Sequence, residues 1–150
     1  MKSTILKPEQ IVLTNAVSSA AFCWRVYESH LLEGVQPPPV IASRVYRGGR
    51  AAYILLDGNH RACICAYHSQ PIKAWVVLNE KDADEILNLE LQMEILKFPH
   101  RQFLGGCVTL KELLHEAIQS AISANESIAE VVAKARTISN VPTSHRRRSS

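Results

Sequence analysis

Apolar residues gather in short runs through the first half of the chain and in longer amphipathic stretches through the second. Ile11-Val12-Leu13, inside residues 6–14, reads as a short first strand. Residues 15–33 read as a helix that Asn15, Ser18 or Ser19 could cap and that Gly34 stops. Pro37-Pro38-Pro39 then forms a stiff extended connector, because three locked φ angles and three missing N–H groups keep it out of any ladder. Residues 40–45 return to strand character, Tyr46-Arg47-Gly48-Gly49-Arg50 is a Gly-Gly turn, and residues 51–56 are a second strand, together a β-hairpin. Tyr53-Ile54-Leu55-Leu56 is apolar without alternation, as expected of a central strand covered on both faces. Asp57-Gly58-Asn59 breaks that strand. Residues 60–68 read as a short helix ended by Gln70-Pro71, and residues 72–78 as another strand.

After residue 80 the pattern is mostly helical, with one conflict. Leu87, Leu89, Leu91, Met93 and Ile95 alternate with Asn88, Glu90, Gln92 and Glu94, which argues for a half-buried strand. The residue types argue for a helix, since Leu, Glu, Gln and Met are helix formers and only Ile95 is β-branched. The expectation for residues 86–96 is a helix, broken by Pro99. Thr109 caps another helix, with Glu112 three residues on completing a capping box. Residues 127–138 form a last helix. It faintly resembles the start of a helix-turn-helix but lacks the turn glycine and a second helix, so it reads as a packing or partner-binding helix. The expected fold class is α+β: a small mixed sheet with helices in residues 1–80, a helical extension in 81–140, and a disordered basic tail in 141–150.

Composition narrows the class further. The 150 residues are 47% hydrophobic and 21% charged, enough for one core, and no apolar run approaches a membrane span. The N-terminal stretch lacks a long apolar run before a small-residue cleavage site, so the expected location is cytoplasmic, with no membrane partner. Cys23, Cys63, Cys65 and Cys107 have no framework spacing. The expectation is reduced thiols acting as small buried hydrophobes, since Cys63 and Cys65 would point to nearly opposite faces of a helix.

The net charge of +3 comes entirely from Arg146, Arg147 and Arg148, because residues 1–140 hold 14 basic and 14 acidic side chains. That neutral body is polarised. Arg44, Arg47, Arg50, Arg61 and Lys73 stand against Asp57 alone between residues 34 and 79, whereas residues 80–94 hold six acids and one lysine. The middle of the chain can attract a compact anion. Nucleic acid is a candidate partner through the arginine tail and through Arg44, Arg47 and Arg50, and a homodimer is a candidate through the apolar helical half.

The richest chemistry lies at Leu55-Leu56-Asp57-Gly58-Asn59-His60-Arg61. A buried strand running through a glycine turn directly into a helix leaves free backbone N–H groups at the positive end of a helix dipole, an arrangement that binds phosphate. Gly58 permits a positive φ or a close backbone approach. His60 and Arg61 add donors, and Arg61 can hold phosphate oxygens bidentately. Asp57 could hold a metal ion, orient an incoming hydroxyl, or neutralise Arg61.

The same words resemble a known family. Leu6-Lys7-Pro8-Glu9-Gln10-Ile11, the Gly34 to Pro37-Pro38-Pro39-Val40-Ile41 passage, the Asp57–Arg61 word and the strand after Gln70-Pro71 together resemble the ParB/sulfiredoxin-like superfamily over roughly residues 5–80. The resemblance implies a nucleoside triphosphate, ATP or CTP, with Mg²⁺, cradled by Gly58, Asn59, His60 and Arg61. The superfamily's sulfinic acid reductases carry a catalytic cysteine where this chain has Asn59, which argues against that activity. Its partition proteins favour arginine where this chain has His60. Its serine kinases carry Asp-Gly-His-His-Arg, the nearest wording, and use an upstream glutamate as base, a role open to Glu33 or Glu28. Two functions follow as expectations. One is a phosphotransferase or nucleotide hydrolase with Asp57 and Glu33 as catalytic residues. The other is a non-enzymatic DNA-binding or partner-binding module that uses the site as a switch.

Overall fold

The computed structural model describes residues 3–93 and 109–140. In chain order the elements are β1 (Ser3–Leu6), a 3-10 turn (Pro8–Gln10), β2 (Ile11–Val12), α1 (Phe22–Leu32), β3 (Val40–Arg47), β4 (Arg50–Asp57), α2 (Asn59–Tyr67), β5 (Ile72–Val76), α3 (Glu80–Met93), α4 (Leu110–Ala124) and α5 (Ile128–Asn140). The fold is α+β, built on one five-stranded mixed sheet in the order β1-β5-β3-β4-β2. β1 runs antiparallel to β5, β5 parallel to β3, β3 antiparallel to β4, and β4 parallel to β2.

The unbroken apolar word in β4 has a simple cause. Successive side chains on a strand point to opposite faces, and both faces of this sheet are covered. Val40, Ala42 and Leu55 enter one core with Trp24, Ala62, Ile64, Ile128 and Val131. Ile41, Ile54 and Leu56 enter a second core with Ile86, Leu110, Leu113 and Ala117. Helices α1, α2 and α5 therefore close one face, and α3 and α4 close the other. The segment expected as a helical extension packs onto both faces of the sheet.

Several local expectations hold. Gly48 and Gly49 turn the β3–β4 hairpin with φ of 57° and 80°, as a two-residue turn requires when both central residues have positive φ. Thr109 caps α4, its hydroxyl accepting the Glu112 N–H at 3.1 Å. Residues 86–93 are helical, so propensity outweighs alternation there. Residues 94–96, Pro99, Cys107 and the tail 141–150 lie outside the described residues.

Others are corrected. β1, which the residue pattern does not predict, is a short edge strand whose first three residues are exposed. The helix expected over residues 15–33 begins only at Phe22. Residues 15–21 instead form an irregular crossing in which the Asn15 N–H goes to a side chain of α2 and Ala21 is extended, with ψ near 147°. α5 is one uninterrupted helix to Asn140, so no helix-turn-helix forms within it. Its start carries a capping box: Ser127 Oγ accepts the Glu130 N–H, and Glu130 Oε1 accepts the Ser127 N–H. Among the described residues, no helix is long and apolar enough to cross a membrane.

Two stability outcomes follow. Leu55→Ala, which opens a cavity at a fully buried position on a central strand, will lower unfolding free energy in urea by about 2–5 kcal/mol. Ser127→Ala will lower it by about 1 kcal/mol, through loss of the cap.

Candidate functional site

β4 ends at Asp57 and α2 begins at Asn59, so the chain turns on the single residue Gly58. Gly58 has φ 101° and ψ 28°, a left-handed conformation that glycine adopts at little cost. Space gives a second reason for glycine. A Cβ here would lie 2.6 Å from Val40 Cγ1 and 3.0 Å from a guanidinium nitrogen of Arg61. Because β2 and β4 are parallel neighbours, their carboxyl ends reach the same edge of the sheet. Crevices outside such ends are common ligand sites in open sheets.

Three chain segments converge on this corner, and the side chains of Asn59 and Arg61 tie them together. Asn59 is 6% exposed. Its Oδ1 accepts the Thr14 N–H at 2.8 Å and the Asn15 N–H at 3.3 Å, and its Nδ2 donates to Thr14 Oγ1 at 3.1 Å. Thr14 Oγ1 in turn donates to the Leu55 carbonyl at 2.9 Å. The chain after β2 is thus fastened to the first turn of α2.

Arg61 is 4% exposed. Its Nε donates to the Pro38 carbonyl at 3.2 Å, and its Nη2 donates to the Pro39 carbonyl at 3.2 Å and to Asp57 Oδ2 at 3.1 Å. The Tyr27 ring lies 5.7 Å from the guanidinium carbon, within cation–π range. The proline connector, extended and without N–H groups of its own, supplies carbonyls that need donors from elsewhere. The sequence reading sends the Asn59 and Arg61 side chains to phosphate. In the structure both are buried and engaged with the protein itself.

Two kinds of group remain for a ligand. No side chain caps the first turn of α2, and the residues at its start are Asn59, His60 and Arg61. His60 is half-buried, and its ring has no hydrogen-bond partner among the described residues. Burial pushes its imidazole below the ordinary value of 6.5.

The expected catalytic residues stand on different elements, Asp57 at the end of β4 and Glu33 at the end of α1. Asp57 is half-buried at the corner and paired with Arg61. Glu33 is exposed just past the end of α1, where its backbone N–H bonds to the carbonyls of Ser29 and His30. Among the described residues no hydrogen bond or ion pair joins its side chain to Gly58–Arg61. Glu28, the other glutamate considered, pairs with His68 at 2.6 Å.

Comparison of the chain with family models, with curated proteins and with solved structures finds no match.

What the corner can do follows from its own groups. Cys63 and Cys65 are buried. Burial, then the nearby Glu126 charge, pushes the Cys63 thiol up to about 12. Burial also raises the Cys65 thiol, partly offset by Arg61. Neither is a ready thiolate at neutral pH, so both act as small core residues. Among the described residues no group of three or more His, Cys, Asp or Glu could hold a metal ion. The residue most missed by sequence reasoning is Thr14, which grips Asn59 from 45 positions away; no local pattern marks it. The proline run was a readable signal, since its carbonyls had to find partners.

Arg61→Ala will remove a donor from Asp57 and from two proline carbonyls and will lower unfolding free energy by about 3–5 kcal/mol. Measured as a double-mutant cycle with Asp57→Ala, the two losses will fall short of additive by roughly 0.5–3 kcal/mol.

Proposed function

We propose that the corner between β4 and α2 binds the phosphates of a nucleoside triphosphate, ATP or CTP. The observation that carries this reading is the uncapped first turn of α2. It is set on a left-handed glycine at the carboxyl ends of two parallel strands, with a half-buried histidine on its second residue that has no hydrogen-bond partner among the described residues. Backbone donors at the positive end of a helix favour phosphate oxygens. Asn59 and Arg61 contribute as the frame that holds those donors in place rather than as ligands. The Asp57–Arg61 word, which resembles the hallmark of the ParB/sulfiredoxin-like superfamily, supports the same ligand.

Mg²⁺ fits this site only as a companion of the nucleotide. The corner offers one carboxylate, Asp57, already shared with Arg61, and Mg²⁺ takes most of its ligands from phosphate and water when the protein supplies few. Phosphoryl transfer also needs a positioned base. With Asp57 compensated by a guanidinium, and no hydrogen bond or ion pair tying Glu33 to Gly58–Arg61 among the described residues, binding as a switch is the better supported of the two uses. Incubation with MgATP and MgCTP then yields no phosphate release above a protein-free control. Steady turnover abolished by Asp57→Asn would reverse that choice.

In calorimetric titrations with the triphosphates, His60→Ala will weaken binding about tenfold while leaving the melting temperature nearly unchanged, because the ring has no partner to lose among the described residues. Equal affinity in wild type and variant removes His60 from the site. No heat with any triphosphate removes the proposal.

The pH dependence has a definite sign. In the free protein burial disfavours the His60 imidazolium, so the folded state binds fewer protons than the unfolded state near pH 6.5. Stability from this group is complete above that value and is lost as pH falls through the lowered folded-state value. A bound polyphosphate favours the imidazolium, so binding takes up a proton and tightens as pH falls from about 8 towards about 6. Titration of the His60 ring by NMR with and without triphosphate checks this, and the value must rise on binding.

A further inference from the structure

The tip of the β3–β4 hairpin lies at the opposite end of β4 from Gly58, and it leaves part of the sheet unpaired. A two-residue turn through Gly48 and Gly49 makes Arg47 and Arg50 a hydrogen-bonded pair. Bonding alternates along an antiparallel pair, so the backbone groups of residues 50, 52 and 54 face β3. Those of Ala51, Tyr53 and Leu55 face the other way, towards β2. β2 lies beside Tyr53 and Ile54 only. The residues before it, which would carry it past Ala51, close instead into the 3-10 turn, with the Gln10 N–H on the Lys7 carbonyl at 3.0 Å. Among the described residues no strand lies beside residues 50–52. Ala51, itself exposed, thus presents an N–H and a C=O on an open sheet edge, which is a template for one more strand.

The surroundings of this edge are cationic. A groove of about 580 Å³ separates the hairpin tip from the 3-10 turn, with Lys7 and Glu9 on one side and Arg47, Arg50 and Ala51 on the other. Three cations face one acid, and none of the three forms an ion pair among the described residues. Like charges placed opposite each other destabilise a hairpin, so folding gains nothing from the Arg47–Arg50 pair. By strand alternation both arginines share the face on which Ile54 enters the second core, while Ala51 shares the face of Leu55. A strand laid in the gap therefore meets guanidinium groups on one face and a small apolar side chain on the other.

These groups choose among anions. A phosphodiester backbone brings acceptors to the arginines but no N–H to the Ala51 carbonyl. An extended peptide brings both an N–H and a C=O to the edge, and acidic side chains answer the cations. This chain does not supply such a peptide. Residues 94–108 hold one acid against two of Lys and Arg, residues 141–150 hold three arginines and no acid, and the acid-rich residues 80–93 are helical. The same edge of a second copy would set arginines against arginines.

We propose that the open edge of β4 at residues 50–52 takes up an extended acidic peptide from a partner protein as an added strand, its backbone bonded to Ala51 and its carboxylates on Lys7, Arg47 and Arg50. Nothing in this assignment depends on nucleotide binding at Gly58.

The test uses the full chain carrying Arg146→Ala, Arg147→Ala and Arg148→Ala, so that the arginine tail contributes nothing. The probe is a labelled, end-blocked peptide of alternating glutamate and valine, read by fluorescence anisotropy, with a lysine–valine peptide and oligo-dT as comparisons. The glutamate–valine peptide will bind at least about tenfold more tightly than the lysine–valine peptide, and salt will weaken it. Arg47→Glu with Arg50→Glu will weaken it by more than about tenfold, with thermal melts confirming that the variant is folded. Methylating the peptide nitrogens separates strand addition from charge attraction, because it removes N–H donors and leaves the carboxylates. With valines on the Ala51 face, methyl groups on the valine nitrogens block an antiparallel strand and those on the glutamate nitrogens a parallel one. One of the two methylated peptides will therefore bind about tenfold more weakly. Hydrogen exchange of the Ala51 amide, followed by NMR on the unsubstituted hairpin, will slow about tenfold or more in the saturated complex. Absent binding overturns the proposal, as does binding that survives the charge reversal or oligo-dT that displaces the peptide as well as unlabelled peptide does. So does a bound peptide that tolerates both methylations, or one that leaves the Ala51 amide exchanging at its free rate.

Discussion

The corner of this protein depends on one buried guanidinium. Arg61 reaches from the first turn of α2 to two carbonyls of the proline connector and to Asp57, the last residue of β4. A charge this deeply buried is costly unless it is both paired and hydrogen-bonded, and here it is both. The pair fixes where β4 ends, where β3 begins after its prolines, and the direction in which α2 leaves the sheet. Asn59 does the same for the chain after β2. Three chain segments are thereby held about Gly58, a residue that admits no side chain.

That constraint changes the meaning of the Asp57-Gly58-Asn59-His60-Arg61 word. Read as a list of donors, all of its polar side chains point to an anion. Folded, the word divides: Asn59 and Arg61 build the frame, Asp57 balances it, and the outward-facing capacity falls to backbone N–H groups and His60. A frame whose side chains are committed to internal bonds keeps those N–H groups in a fixed arrangement, and preorganised donors are the ones most useful to a bound anion. A half-buried imidazole, disfavoured as a cation by burial, also makes the corner sensitive to proton concentration.

The parts of the fold legible in the sequence are those fixed by local physics. The Gly48-Gly49 hairpin, the stop at Gly34, the Thr109 cap and the two-faced strand at residues 53–56 each follow from turn chemistry, capping or pattern. The parts that were not legible depend on distant partners. Residues 15–21 carry capping residues and a helical composition. The fastening of Asn15 to Asn59 instead holds this stretch in an irregular path, and nothing near Asn15 announces that bond. The strand at Ser3–Leu6 is short and mostly exposed, and exists through its pairing with β5, some 70 residues later. The inward use of Arg61 was hidden for the same reason: a residue's charge is visible in a sequence, but its burial is not.

The most direct measurement of the central claim is an NMR titration of the isotopically labelled chain with MgATP and MgCTP, following the backbone amides of residues 58–61, the His60 ring and the Arg61 Nε–H together. The account requires the amides of Asn59, His60 and Arg61 and the His60 ring to shift on a common saturation curve, while the Arg61 Nε–H stays in place, still bonded to Pro38. Amides that do not respond to either nucleotide, or an Arg61 Nε–H that leaves its carbonyl to follow the phosphate, would contradict it.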